Sequence, residues 1–310
     1  MTVSTRIRGA LLASAVVLAA AACSSSGPRP SSSTSSTGTS AAAAAASNPT
    51  GPPGAAVPRP DHVVVVIEEN RSAASVLANP SAPYLNGLAG RGATFTQSYG
   101  VSHPSEPNYL ALFSGSTHGL SDDSCPATGS PYSSANLASV LRAGGFSFAT
   151  FSEDLPAAGS TVCSSGQYAR KHNPVTDFSN VPADLSRPFR AFPADLSTLP
   201  TVSFVVPNLD HDMHDGTVGQ ADVWLHDHLD RYVSWAFTHH SLLVVTWDED
   251  DHSAGNRIPT LFVGPMVRPG RYAERIDHYA VLRTVTALYG VAAPGLAATA
   301  PTITDVWAGG

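Results

Sequence analysis

The chain is poor in charge and in cysteine. Only 13% of its 310 residues are Asp, Glu, Lys or Arg, and it holds three Cys. The first 60 residues carry no acidic side chain. All 24 Asp and Glu follow, against 13 of the 17 basic residues, so the rest of the chain has a formal balance of −11. That balance excludes the basic face nucleic-acid binding requires. No apolar run spans a bilayer comfortably; residues 9–22 fall short of the roughly 20 needed. No internal repeat occurs, and no linker interrupts the sequence after residue 58. A G-x-S-x-G elbow is missing too, since GSTHG at 115–119 centres on Thr117. That removes the sequence mark of one class of metal-free serine hydrolases.

What the ends do contain points to export. Arg6 and Arg8 precede the short apolar run, and small residues lead to Cys23. This resembles a bacterial lipoprotein signal of residues 1–22, which implies cleavage before Cys23 and a lipid anchor on its sulfur, holding the protein at the outer face of the cytoplasmic membrane or in the cell envelope. The alternative is an ordinary secretory signal, with Cys23 a bystander. Residues 23–57 are Ser, Thr, Ala, Gly and Pro with almost nothing to bury, and read as a disordered tether. Residues 58–310 suffice for one large domain. With Cys23 assigned to lipid, an even pair remains in Gly/Ser-rich loops of an exported chain, and a Cys125–Cys163 disulfide is expected.

Apolar β-branched runs at 62–67, 146–151, 202–206, 242–247 and 259–263 read as strands. Stretches 84–89, 108–113, 135–143, 221–237 and 279–289 read as helices. Continuous rather than alternating hydrophobicity implies strands covered on both faces. The expected fold is α/β, a three-layer sandwich with a mostly parallel central sheet.

Such sheets bind ligands beyond the carboxyl ends of their strands. Three runs end in chemistry: Glu68-Glu69-Asn70 after HVVVVI, PNLDHDMHDG (207–216) after VSFVV, and Asp248-Glu249-Asp250-Asp251-His252 after LLVVTW. Carboxylates crowded on one sheet edge, without a Lys or Arg beside PNLDHDMHDG, call for a cation. Glu69, Asn70, Asp248 and Glu249 offer hard oxygens suited to Ca²⁺, Mg²⁺ or Mn²⁺. Asp212 and His214 add an O/N pair that also suits Zn²⁺. Asp210 and His214, spaced i, i+4, are the competing pair.

The stretch SHPSEPNY (102–109) supplies a nucleophile. Ser105 and Glu106 precede Pro107 and an amphipathic run, which sets Ser105 at a helix N-terminus, where free N–H groups and the helix dipole favour an oxyanion or a phosphate. A capping serine would look the same.

Taken in order, IEENRS (67–72), SHPSEPNYLALFSGSTHG (102–119), PNLDHDMHDG, ADVWL (221–225), TWDEDD (246–251), NRIPTLFVGP (256–265) and HYAVLRTVTALYG (278–290) resemble the phosphoesterase family of bacterial acid phosphatases and phospholipases C, within the alkaline-phosphatase-like superfamily. The resemblance implies that Glu69, Asn70, Ser105, Asp248 and Glu249 hold a divalent ion and that Ser105 attacks phosphorus. It matches Asp212 and His214 to a second cation or a proton-transfer role. Asn108, His252, Asn256 and His278 are placed near the phosphate. The implied activity is phosphoric-ester hydrolysis through a phosphoseryl intermediate, on a small phosphate ester or a phospholipid headgroup. A phospholipase C or a non-catalytic cation- or phosphate-binding lipoprotein are the alternatives. The long insertions and extra C-terminal domain common in the phospholipase branch do not occur in this sequence.

Overall fold

The computed structural model describes residues 57–126 and 130–308. The expected signal, Cys23 and all of the expected tether but Val57 lie outside the described residues.

Nine strands build one sheet. In chain order they are β1 (Val63–Glu68), β2 (Ala93–Tyr99), β3 (Phe148–Ser152), β4 (Ser186–Pro188), β5 (Val202–Val206), β6 (Leu242–Trp247), β7 (Arg257–Ile258), β8 (Thr260–Val263) and β9 (Gly270–Asp277). Across the sheet the order is β9-β2-β8-β6-β1-β5-β3-β4, and β7 pairs with β2. All pairings are parallel except those of β8 with β2 and β6 and of β7 with β2. The five expected strands are present. Two longer ones, β2 (ATFTQSY) and β9 (GRYAERID), escape the pattern because each mixes polar side chains into its length; β9 is an edge strand.

Alternation along β1 shows why this sheet needs two covers. Val63, Val65 and Ile67 enter one apolar cluster, Val64 and Val66 the other. Helices α2 (Ser105–Ser114), α3 (Leu137–Ala143) and α5 (His278–Leu288) supply Leu110, Leu141 and Val285 to the first cluster. On the opposite face, α1 (Pro83–Arg91) and α4 (Val218–Ala236) bring Leu85, Leu88, Leu225 and Leu229. The result is the three-layer arrangement that two-sided strand hydrophobicity requires.

Helix ends follow local chemistry. Thr217 and Gln220 form a capping box at the start of α4, and Asn136 with Ser139 does the same for α3. All ten residues of α2 are buried. A disulfide joins Cys125 to Cys163. Among the described residues no helix is long and apolar enough to cross a membrane.

Candidate active site

Strands β6, β1 and β5 are neighbours and parallel, so their carboxyl ends open on the same edge. Backbone bonds continue just past them: the Asp248 amide donates to the Glu68 carbonyl, and the Glu69 amide to the Asp212 carbonyl. Three loops distant in sequence are thereby locked together. Of the eight non-glycine residues with positive φ among the described residues, Asn70, Met213, His252 and Asn256 lie in these loops. Backbone held in that region is costly and gathers at functional sites. Gly216 closes PNLDHDMHDG because a Cβ there would collide with the Asp210 carbonyl. Gly100 lets the loop before α2 pass within 2.7 Å, measured from an added Cβ, of the Asp248 carbonyl and the Asn256 side chain.

Ser105 is the first residue of α2 and is buried; its hydroxyl donates to Glu69 Oε2 at 3.0 Å. Glu69 Oε1 lies 2.9 Å from His172 Nε2, and His172 Nδ1 lies 3.1 Å from Asp212 Oδ2. The imidazole therefore bridges two buried carboxylates, stacked at 5.0 Å on the buried ring of Tyr109. Burial opposes charge on His172, but Glu69 and Asp212 outweigh it and raise its pKa to about 9. Burial likewise works against Glu69, yet His172 holds its pKa down to about 2.

The other side of the site is unlike this. Asp248 Oδ1 accepts the Asn70 amide at 3.2 Å, while its buried Oδ2 has no protein partner. Burial, then the charges of Glu69 and Glu249, push the Asp248 pKa well above the usual carboxylate range. Burial, then Glu69, lifts Glu249 to about 8. Glu249 Oε2 meets His103 Nδ1 at 3.0 Å and Asn108 Nδ2 at 3.3 Å. His103 reaches Asp250 Oδ1 through its other nitrogen and stacks on exposed His252.

The remaining candidates divide. Asn108 accepts the Val101 and Ser102 amides and donates to the Ser102 and Pro104 carbonyls, which shapes the loop leading into Ser105. Asn256 accepts the Asp250 amide and donates to the Ser102 carbonyl, clamping the two loops together. Buried His278 bonds the Asp248 carbonyl at 2.6 Å. The polar contacts of these three are thus to protein, and they fix loop geometry. Asp212 Oδ1 accepts the His214 amide, and His214 Nδ1 meets Asp215 Oδ1 at 2.7 Å. Asp210 takes part through its backbone, its amide donating to Asn208 Oδ1. Glu68, the last residue of β1, is buried with neither carboxyl oxygen partnered, and burial raises its pKa well above the usual range.

Three participants carry no mark in the sequence reading. Asp123 comes from the loop between α2 and α3, and Lys171 and His172 from the stretch between β3 and β4, where no apolar run draws attention. Their signal is RKH at 170–172, three consecutive basic residues in an acidic chain whose only lysine is Lys171. Arg170 is spent on buried Asp177 at 2.8 Å. Lys171 Nζ meets Asp123 Oδ2 at 2.8 Å and His214 Nε2 at 3.1 Å. Donor atoms of Glu69, His172 and His214 lie within 4.8 Å of one another, close enough to be a candidate cation site.

The arrangement offers a buried hydroxyl at a helix start, an unneutralised carboxylate pair on one side and internal cations on the other. That is equipment for attack on an anionic ester. The family model of the phosphoesterase family matches residues 73–292. A phosphatidylinositol-3-phosphatase of Mycobacterium tuberculosis is 56% identical over 248 residues, covering 79% of this chain and 82% of that protein. A phosphate-repressible acid phosphatase of Penicillium chrysogenum is 31% identical over 233 residues, covering 68% of this chain and 55% of that protein. The chain thus spans about half the length of the fungal acid phosphatases it matches. Among solved structures, an alkaline phosphatase superfamily protein from Vibrio parahaemolyticus aligns with a TM-score of 0.58 at 16% identity, over 81% of this chain and 72% of that one. The lipoteichoic acid synthase LtaP of Listeria monocytogenes aligns with a TM-score of 0.56 at 12% identity, over 82% and 77%; these two likenesses concern the fold. The chain belongs to the phosphoesterase family and is a hydrolase of phosphoric esters.

Proposed function

We propose that this chain is an exported, metal-dependent phosphomonoesterase with Ser105 as nucleophile. The observation that carries the reading is the Ser105 hydroxyl, buried at the start of α2 and 3.0 Å from Glu69. The donor set fits a divalent cation: Asp248 Oδ2 is buried without a partner, and Asp248 and Glu249 repel with too little protein charge between them. Glu69, Asn70, Ser105, Asp248 and Glu249 would hold the ion. Their predominantly oxygen donors favour Mg²⁺, Ca²⁺ or Mn²⁺ over Zn²⁺. When bound, it supplies positive charge that favours the serine alkoxide and the developing charge on phosphate.

The chain's own residues do the rest. Glu69 takes the Ser105 hydrogen bond and so aims the oxygen's free lone pairs away from the carboxylate. Ser105 Oγ forms the new P–O bond as its proton passes to Glu69 Oε2. The P–O bond to the ester breaks and the alkoxide leaves, taking a proton from solvent. Water then attacks the phosphoserine, its O–H proton returning to Ser105 Oγ as that P–O bond breaks and inorganic phosphate is released. His172 fixes Glu69 from behind, and Asn108 sets the loop that delivers Ser105. We read the side of the site containing Asp212 and His214 as neutralised by His172 and Lys171 rather than by a second ion.

The relative from M. tuberculosis is named for a phosphoinositide monoester, so substrates extend from small monoesters to a phosphorylated lipid headgroup. The test measures phosphate release from p-nitrophenyl phosphate, phosphatidylinositol 3-phosphate and phosphatidylcholine, each with wild type and Ser105→Ala. Ser105-dependent turnover of the monoesters supports the reading. Preference for phosphatidylcholine by orders of magnitude would overturn it in favour of a phospholipase C. Export on a lipid attached to Cys23 is checked separately: palmitate label should enter the wild-type chain and be lost in Cys23→Ala.

A further inference from the structure

The chain's single lysine lies in this site, and what it holds there is a carboxylate from a neighbouring loop. Asp123 spans two donors. Its Oδ1 accepts the Glu106 amide at 2.9 Å, next to Ser105 in the first turn of α2, and its Oδ2 accepts from Lys171 Nζ at 2.8 Å. An amide at a helix start and an ammonium group, set one carboxylate apart beside a nucleophile, are the donors that a phosphoryl oxygen pair would use. A phosphate's oxygen pair is only slightly wider than a carboxylate's. Asp248 Oδ2, buried without a protein partner across the site, marks the region as one completed by a ligand, there the cation that phosphate would face.

Other cations do not compete for the role. Arg71 is committed to the Asn70 and Gly216 carbonyls, and Arg170 to Asp177. His172 is enclosed between Glu69 and Asp212. Lys171 stays reachable, with its side chain 19% exposed, and its carboxylate partner is 25% exposed. Both partners reach solvent, so one anion can be exchanged for another on Lys171 without leaving its charge buried and unpaired. Asp123 lies two residues before Cys125, whose disulfide to Cys163 ties down this stretch of loop.

We propose that Lys171 is a phosphate-binding residue and that Asp123 is its internal stand-in, a carboxylate occupying the phosphoryl seat until substrate displaces it. The inference rests on the phosphomonoesterase reading above. It gives that site a built-in competitor, which weakens affinity for inorganic phosphate and thereby eases product release. Lys171 then serves two anions in turn, and its charge is never left unpaired in either state.

The sign of one mutational effect decides the matter. Inorganic phosphate, the product, is titrated calorimetrically into metal-loaded wild type, Lys171→Met, Lys171→Arg, Asp123→Ala and Asp123→Asn. Lys171→Met should weaken phosphate binding at least tenfold, and Lys171→Arg should recover most of it. Asp123→Ala should tighten binding several-fold, because the competitor is gone. Should the Ala variant fail to fold, Asp123→Asn, which keeps an acceptor for Glu106, should still tighten binding. Weaker phosphate binding in folded Asp123 variants would show that the carboxylate merely positions Lys171, and would overturn the proposal. So would unchanged binding in Lys171→Met. Failure of the function reading looks different: wild type would then release no phosphate from any monoester.

Discussion

The two sides of the site solve the same electrostatic problem in opposite ways. Beside β5, Asp212 and Glu69 share His172, and Lys171 stands next to His214, so buried acid is neutralised from within the protein. Beside β6, Asp248 and Glu249 are buried together, in direct contact with the His103 imidazole and amide groups, and the positive charge of Lys171 and His172 only partly offsets their burial. Buried like charges without a counter-ion are driven toward the protonated form. The first side has counter-charges of its own, while on the proposed reading the second would gain its charge balance from a cation. We therefore propose that a catalytic ion belongs to the β6 side.

The comparison breaks most sharply where the two sides meet. Ser105→Ala should lower kcat/KM for p-nitrophenyl phosphate by about 10³-fold or more, and so should Asp248→Ala, because nucleophile and charge stabilisation fail together. Excess divalent metal should partly rescue Asp248→Ala and never Ser105→Ala. Removing His172 attacks the opposite side. His172→Gln leaves Glu69 and Asp212 facing each other, and breaking such a buried pair costs about 3–5 kcal/mol. Turnover should fall about 10- to 100-fold, as when an outer partner of a ligand is lost. Denaturant unfolding and steady-state kinetics on the same samples check both.

A pH titration of the metal-free protein tests the charges on both sides without mutation. Glu249, at about 8 in the fold, lies above its ordinary 4.5, so it costs stability progressively as pH rises from 4.5 through 8. His172 lies above its ordinary 6.5, so its contribution is full below 6.5 and is lost as pH rises through about 9. Glu69 lies below its ordinary 4.5, so its contribution is full above 4.5 and fades as pH falls toward 2. The thermal midpoint of chelated protein should therefore decline from about pH 5 to pH 8, and added metal should raise it most at the alkaline end. A midpoint that rises over that window would contradict the assignment of the bare carboxylates.

The smallest effect concerns Glu68. It shares the acidic cluster after β1 with Glu69 but is buried with both carboxyl oxygens unpartnered and its pKa raised. Burial and the charges of Asp212 and Glu69 disfavour its ionised form, and Glu68→Gln keeps its shape without that charge. Activity should stay within about twofold, and stability at pH 7 within about 0.5 kcal/mol.

That contrast between Glu68 and Glu69 marks where sequence reading stops. The strand bodies, their two-sided burial and the three acidic strand ends were legible because hydrophobic runs and turn residues are local signals. Which carboxylate at the end of β1 enters the site depends on strand alternation and loop pairing, which a single run of letters leaves open. Ser105 was visible through Pro107 and the helix that follows. His172 and Lys171 were not, because they lie in a long irregular segment held by a disulfide and a buried ion pair between Arg170 and Asp177. Asn108, Asn256 and His278 stood out as polar residues in motifs; only their partners show that they brace backbone loops.

Metal content puts the asymmetry between the two sides to the most direct test. Elemental analysis of protein purified without chelator, run beside Asp248→Asn, Glu249→Gln and His214→Gln, should find one divalent ion per wild-type chain. Asp248→Asn and Glu249→Gln should lose it, and His214→Gln should keep it. Two ions per chain, or an ion lost with His214 and retained without Asp248, would contradict the account.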